Sequence, residues 1–326
     1  MRIAIVGAGA IGTWLGVRLA NSGCEVSVFA RDRTLAAIKR EGLRLVIGGE
    51  TQTAKVKASD NAADLGTQDL VVISVKGHAL AKVAPAVSTL LNSQTAVLPA
   101  MNGVPWWFFH GASGALRGAS LQSIDPGGAV SQAIPPSQVL GCVVHAACST
   151  GEPGVAIHKN GNGLIVGEPS GEASARLDSV VGALRKARFD VTASQSIQRD
   201  IWYKLWGNMT MNPISALTGA TCDLILDDPL VSGLILRAMV EAAEIGEKIG
   251  CGIAESGEAR MQVTRKLGSF KTSMLQDAEA GRALELDALL AAPREIGRML
   301  GVATPNIDAI HGLARLFAQT RGLNPQ

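Results

Sequence analysis

Lys204, Asn208 and Asn212 recur at four-residue spacing within Trp202-Tyr-Lys-Leu-Trp-Gly-Asn-Met-Thr-Met-Asn-Pro213. At about 3.6 residues per turn, positions i, i+4 and i+8 drift by only about 40° per step, so one ammonium and two amides fall along one helix face. The neighbours Leu205, Trp206, Met209 and Met211 are apolar. A polar stripe on such a helix is costly to bury unless partners or a ligand satisfy it. The alternative is a solvent-facing stripe, for which two weak helix formers such as asparagine are an odd choice. The stripe therefore reads as a ligand-binding face.

A second group of residues has the chemistry to hold phosphate. Gly7-Ala8-Gly9-Ala10-Ile11-Gly12 follows an apolar strand at residues 1–6 and opens a small-residue helix near 11–22, with a second parallel strand expected at 24–29. In this context Gly7 permits the tight turn, Gly9 lets the backbone approach a pyrophosphate and Gly12 lets the helix lie close on the strand. The helix N-terminus offers free N–H groups to the anion. The end of the second strand selects the cofactor. Where NAD enzymes place an acidic residue for the ribose 2′-hydroxyl, this chain has Ala30-Arg31-Asp32-Arg33, and a guanidinium suits a 2′-phosphate. Arg31 is the first candidate for that contact and Arg33 the second, which favours NADPH. Asp32 is expected to cap the next helix; facing the ribose instead, it would bring NAD back.

The surrounding chain must position these two groups. At 326 residues and 47% hydrophobic content it can bury two cores, and the patterning divides it into a nucleotide-binding domain at 1–195 and a helical substrate domain at 196–326. A net charge of +2, no basic run and 4% aromatic residues exclude a nucleic-acid surface. The apolar N-terminus is broken by glycines at dinucleotide spacing and no uninterrupted span of bilayer length follows, so no membrane association and a cytoplasmic location are expected. The five scattered cysteines form no CxxC pair and the histidines show no metal spacing; free thiols and no metal are expected.

Beyond the glycine turn, helix and strand patterns alternate. A buried strand at 69–75 ends at Lys76, and another at 95–100 ends at Asn102-Gly103. In an open parallel sheet ligands sit beyond the carboxyl ends of strands, which puts Lys76 and Asn102 on the cofactor rim; a solvated lysine and a plain Asn-Gly turn are the plainer alternatives. Trp106-Trp107-Phe108-Phe109 suits a pocket wall, an interface or core packing equally. A strand at 139–149 carries His145, expected as a hydrogen-bonded core histidine with a place facing the active cleft as the alternative, and Asn160-Gly161-Asn162-Gly163 signals a hairpin. Antiparallel strands are thus expected at the far end of the sheet. From 197 onward the pattern is helical, with helices expected at 197–217, 229–249, 256–267, 273–300 and 305–320. The fold class is α/β: a Rossmann-type doubly wound sheet followed by an all-helical C-terminal domain, with substrate in a cleft between them.

Gly7 to Gly12, the rim positions Lys76 and Asn102-Gly103, the Lys204-x3-Asn208-x3-Asn212-Pro213 helix, and Ser273-Met-Leu-Gln-Asp277 followed by Glu285 resemble the ketopantoate reductase family over almost the whole chain. The resemblance implies NADPH-dependent reduction of 2-dehydropantoate to pantoate, on the route to pantothenate and coenzyme A. It implies Arg31 as the 2′-phosphate ligand, Lys76 as a cofactor lysine and Asn102 beside the nicotinamide. Lys204 corresponds to the general acid, Glu285 to an acidic residue that contacts substrate and helps hold the lysine, and Asn208, Asn212 and Ser273 to groups bonding the substrate. These roles suit the chemistry: hydride delivery to a ketone puts charge on its oxygen, and an ammonium with an ordinary pKa of about 10.4 is a ready donor. Another NADPH-linked reductase of a small-molecule 2-oxo acid, a non-catalytic NADPH-binding sensor and a hydroxyacid dehydrogenase are the competing readings. A homodimer is compatible with the helical half.

Overall fold

In the computed structural model, residues 1–112 and 114–324 are described. The chain forms two compact units, both discontinuous in sequence: Met1–Met101 with Gly127–Asp200, and Asn102–Pro126 with Ile201–Gln326.

The first unit begins β1 (Arg2–Val6), α1 (Ala10–Asn21), β2 (Glu25–Phe29), α2 (Asp32–Glu41), β3 (Leu43–Ile47), β4 (Glu50–Ala54), β5 (Lys57–Ser59), β6 (Leu70–Ile73), α3 (Leu80–Ser88) and β7 (Ala96–Pro99). It resumes with α4 (Ala129–Ala133), β8 (Gly141–Thr150), β9 (Val155–Gly167), α5 (Ala175–Lys186) and β10 (Asp190–Ser194). Strands β5-β2-β1-β6-β7 make an all-parallel sheet, with Ile3 opposite Val26 on one side and Leu70 on the other. Both faces of such a sheet are covered, which is why β1 and β6 are nearly unbroken apolar runs.

The antiparallel strands expected at the far end of this sheet instead belong to a second sheet, ordered β10-β9-β3-β4 with β8 on the other edge of β9. Nor does Asn160-Gly161-Asn162-Gly163 turn the chain. Strand β9 runs straight through it, and the β8–β9 turn lies at residues 151–154. Gly161, at φ +75°, sits opposite a register shift between His145 and Ala147, where a Cβ would lie 2.5 Å from the His145 carbonyl oxygen. The Asn-Gly signal is therefore a bulge. The same irregularity disturbs the alternation of β8, so His145 is exposed and not in the core.

Helix α1 joins the two sheets. Trp14, Leu15, Val17 and Leu19 are fully buried among Ile3, Ile5, Leu43, Leu45, Leu164 and Val166. A helix apolar on all sides is one that packs on all sides. Gly16 makes room for Leu43 and Ile5, to which a Cβ would approach within 2.9 and 3.3 Å.

The second unit is helical: α6 (Ile197–Thr218, whose first residues belong to the first unit), α7 (Cys222–Asp227), α8 (Pro229–Lys248), α9 (Gly257–Arg265), α10 (Ser273–Glu279), α11 (Ala292–Leu300) and α12 (Pro305–Thr320). The apolar face of α6 is fixed on α8 by two indoles one turn apart. Trp202 Nε1 donates to the Ala242 carbonyl (3.1 Å) and Trp206 Nε1 to that of Met239 (2.7 Å). The run Trp106-Trp107-Phe108-Phe109 is buried, and Phe108 packs edge-on to Phe109 and against Trp202, so it is core.

The single helix expected over 273–300 is interrupted. Gly281 takes a left-handed φ of +65°, the chain leaves α10, and a π-helical turn at Asp287–Ala291 leads into α11. An αL glycine ends a helix because only glycine enters that region without strain.

Candidate active site

In the first unit, a groove of about 490 Å³ is lined by Gly7, Ala8, Gly9, Arg31, Thr34 and Val75, among others. The three glycines each have a distinct physical reason. Gly7 has φ +96°, and a Cβ there would meet Val75 Cγ1 at 2.7 Å. Nothing lies within 4 Å of where a Gly9 Cβ would project, so that backbone is open to a ligand. A Cβ on Gly12 would collide with the Gly7 carbonyl and Ser74 Oγ. Ser74 Oγ donates to the Gly7 carbonyl oxygen at 2.7 Å, fastening the turn to the end of β6. Ala10, Ile11 and Gly12 form the first turn of α1, whose N-cap Gly9 has no side chain to satisfy their N–H groups. Those donors are available to an anion, and the groove fits a dinucleotide pyrophosphate.

Arg31 is exposed, with its guanidinium 5.5 Å from the Phe29 ring centroid. It also takes the N-cap position of α2, in extended backbone and without a side-chain cap bond. Asp32, expected as the cap, is one residue too late: it is the first residue of α2, at φ +50°. Lys76 follows Val75 in extended backbone, at the entry to a short 3₁₀ turn at Gly77–Ala79. It is not among the groove-lining residues.

In the second unit, Asn102, Asn212, Ser273, Met274, Asp277, Glu285 and Leu289 line one small pocket. Lys204 Nζ donates to Asn102 Oδ1 at 2.8 Å, which brings the ammonium to the pocket's amide. Asn212 is 7% exposed, so this part of the stripe is buried. Asn208 lies half-buried in α6 between Lys204 and Asn212 and is not one of the lining residues.

Local interactions position the segments that carry these residues. Thr272 caps α10 by accepting from the Leu275 N–H (3.2 Å), which starts the helix at Ser273. Asp277, on the same helix, accepts from Arg282 Nε at 2.9 Å and returns the next segment towards the pocket. The Val104 N–H donates to the Ala288 carbonyl at 2.9 Å, tying the Asn102 loop to the π-helical turn that follows Glu285. Gly103, at φ +82°, permits this approach; a Cβ there would lie 2.5 Å from the Ala288 oxygen.

Sequence reasoning missed the contribution of Thr150-Gly151-Glu152-Pro153-Gly154 to the groove, although Pro153-Gly154 is a recognisable turn pair. It also assigned no role to Met274, Asp277 and Leu289.

The chain matches the family profile "Ketopantoate reductase PanE/ApbA" at residues 3–171 and "Ketopantoate reductase PanE/ApbA C terminal" at 196–318. It belongs to the ketopantoate reductase family. A 2-dehydropantoate 2-reductase of Mesorhizobium japonicum is 43% identical over 323 residues, covering 99% of both chains. A crystal structure from Ralstonia solanacearum MolK2, provisionally named a ketopantoate reductase, is 56% identical with a TM-score of 0.96, again over 99% of each chain. D-mandelate dehydrogenase, solved with NADH and anilino(oxo)acetate, shares the fold at 19% identity and a TM-score of 0.84, over 99% of this chain and 100% of its own. As a ketopantoate reductase family member the chain is an NAD(P)-dependent oxidoreductase, with the parallel sheet and helical second part that define the family's fold.

Proposed function

We propose that this protein reduces 2-dehydropantoate to pantoate with NADPH, using Lys204 as the proton donor. The observation that carries the reading is the 2.8 Å bond from Lys204 Nζ to Asn102 Oδ1 beside a pocket that Asn102 shares with Asn212, Ser273 and Glu285. The full-length similarity to a named 2-dehydropantoate 2-reductase supports the substrate. Arg31 over Phe29, at the end of β2, supports NADPH over NADH.

A nicotinamide cofactor supplies hydride to the substrate's ketone carbon when bound. Lys204 gives its Nζ proton to the carbonyl oxygen as charge develops there, and the neutral amine then regains a proton from solvent. Asn102 Oδ1 accepts one ammonium hydrogen and so directs the others, while Glu285, which lines the same pocket as Asn102, is the acidic residue that contacts substrate. Ser273, Asn208 and Asn212 supply uncharged hydrogen-bonding groups for the substrate's carboxylate and hydroxyl ends. On the cofactor side, Gly7, Ala8, Gly9, Ala10, Ile11 and Gly12 hold the pyrophosphate, Arg31 the 2′-phosphate, and Lys76 a phosphate or ribose. We read residues 1–195 as the cofactor domain and 196–326 as the catalytic domain, with Asn102–Pro126 lent to the catalytic side by the compact units. A cytoplasmic homodimer completes the reading, the dimer being supported by the exposed apolar side chains of Leu224, Leu230 and Val240; no described helix is long and apolar enough to cross a membrane.

The test is loss of NADPH absorbance with ketopantoate, a panel of other 2-oxo acids and NADH as control cofactor. Turnover favouring ketopantoate and NADPH is expected. A wide preference for an unhydroxylated or aromatic oxo acid would move the substrate, and tight NADPH binding without turnover would remove the enzymatic reading.

A further inference from the structure

Strand β2 is where cofactor preference is usually read, yet the wall facing that end of the groove comes from the second sheet. Glu152 and Pro153 line the dinucleotide groove together with Arg31, and they also line an adjoining pocket with Arg33, Arg40 and Arg44. The wall between the two spaces therefore carries a carboxylate.

The turn that presents it is fixed by backbone alone. The Val155 N–H donates to the Glu152 carbonyl at 2.9 Å, the Gly151 N–H to the Val155 carbonyl at 3.0 Å, and the Arg44 N–H to the Gly154 carbonyl at 2.9 Å. The charges around it are unequally committed. Arg44 and Arg40 both pair with Glu41, the former at 2.6 Å. Among the described residues, Arg31, Arg33 and Glu152 take part in no ion pair. Glu152 thus lines the groove beside Arg31 and the adjoining pocket beside Arg33, and among the described residues none of the three charges is held in an ion pair.

We propose that Glu152 sets how strongly this protein prefers NADPH over NADH. Its carboxylate opposes a 2′-phosphate held by Arg31 and Arg33, and it is an acceptor for the 2′-hydroxyl that NADH carries instead. The inference rests on the NADPH reading above and adds a specificity residue from outside the βαβ unit that normally carries this choice.

The test is fluorescence titration of NADPH and NADH into the parent protein and the variants Glu152→Gln, Glu152→Lys and Arg31→Ala, at low and high salt. Glu152→Gln is expected to raise the NADPH-to-NADH affinity ratio about three- to ten-fold at low salt, with the gain shrinking as salt screens the charges. Glu152→Lys should move the ratio further in the same direction. An unchanged ratio in both variants, or a shift towards NADH, overturns the inference while leaving the NADPH reading intact, provided Arg31→Ala still weakens NADPH selectively. If Arg31→Ala leaves NADPH affinity unaltered, the NADPH reading fails and the role of Glu152 falls with it. Thermal melts matching the parent show that the exposed turn has kept its fold.

Discussion

Lys204 Nζ donates to Asn102 Oδ1, so the ammonium of α6 is oriented by an amide more than a hundred residues away in sequence, within the same compact unit. The pairing defines what each partner should do when removed. Lys204→Ala is expected to lower kcat by about 10²- to 10⁴-fold, the range for loss of a positioned acid, with NADPH affinity near the parent value. Asn102→Ala keeps the ammonium and loses its orientation, so a smaller fall in kcat is expected. Steady-state kinetics with direct cofactor titration checks both; near-normal turnover in the lysine variant would rule out its role as proton donor.

The glycines of the cofactor turn should separate binding from stability. Gly9 faces open space and has an ordinary φ of −76°, so Gly9→Ala should fold normally and bind NADPH poorly. Gly12→Ala drives a methyl into the Gly7 carbonyl and Ser74, and should lower the melting temperature even without cofactor. Melts of both variants with and without NADPH distinguish the two effects; similar apo melting temperatures would refute the assignment.

Gly103→Ala combines a left-handed φ with a Cβ 2.5 Å from the Ala288 oxygen. A loss of about 1–3 kcal/mol is expected from the backbone strain, together with reduced kcat because Asn102 shifts away from Lys204. Denaturant unfolding and kinetics on the same preparation would show the coupling, and a stable, fully active variant would contradict it.

Acid should loosen the first unit through Glu168. Burial pushes its carboxyl up, but hydrogen bonds from Arg176 and Ser174 outweigh this and hold it below the usual glutamate value of 4.5. A folded-state value below the unfolded one gives stability that is present above about pH 4.5 and lost as the pH falls through the folded value. Glu168→Gln should therefore melt lower than the parent at neutral pH, with the gap closing in acid. A gap independent of pH would exclude this carboxylate as the source.

The sequence made the geometry of the glycine turn and the helix carrying the polar stripe legible because both depend on local spacing: a strand running into GxGxxG, and three polar residues four apart on an apolar helix. Local signals misled where long-range pairing decided the outcome. Asn160-Gly161 reads as a turn, yet the partners of β9 on both edges hold it extended around a bulge. Asp32 reads as a cap, but the turn out of β2 gives that position to Arg31. The break at Gly281 and the π-helical turn were hidden by continuous helical patterning across 273–300. Gly48-Gly49, with φ of +60° and +87°, is a hairpin signal between β3 and β4 that sequence analysis passes over. Glu152 could not be ranked from sequence, because its importance comes from the second sheet bringing its turn to the groove.

The bond between the Val104 N–H and the Ala288 carbonyl uses only main-chain atoms. The bond itself therefore does not depend on the identity of either side chain, although Val104 is also held by burial. What a lineage must preserve is loop length: a one-residue insertion or deletion between Asn102 and Val104, or between Glu285 and Ala288, would slip the joint and part the amide from the carboxylate. Across descendants of this chain, the active site should tolerate spelling changes at the joint far better than changes in spacing.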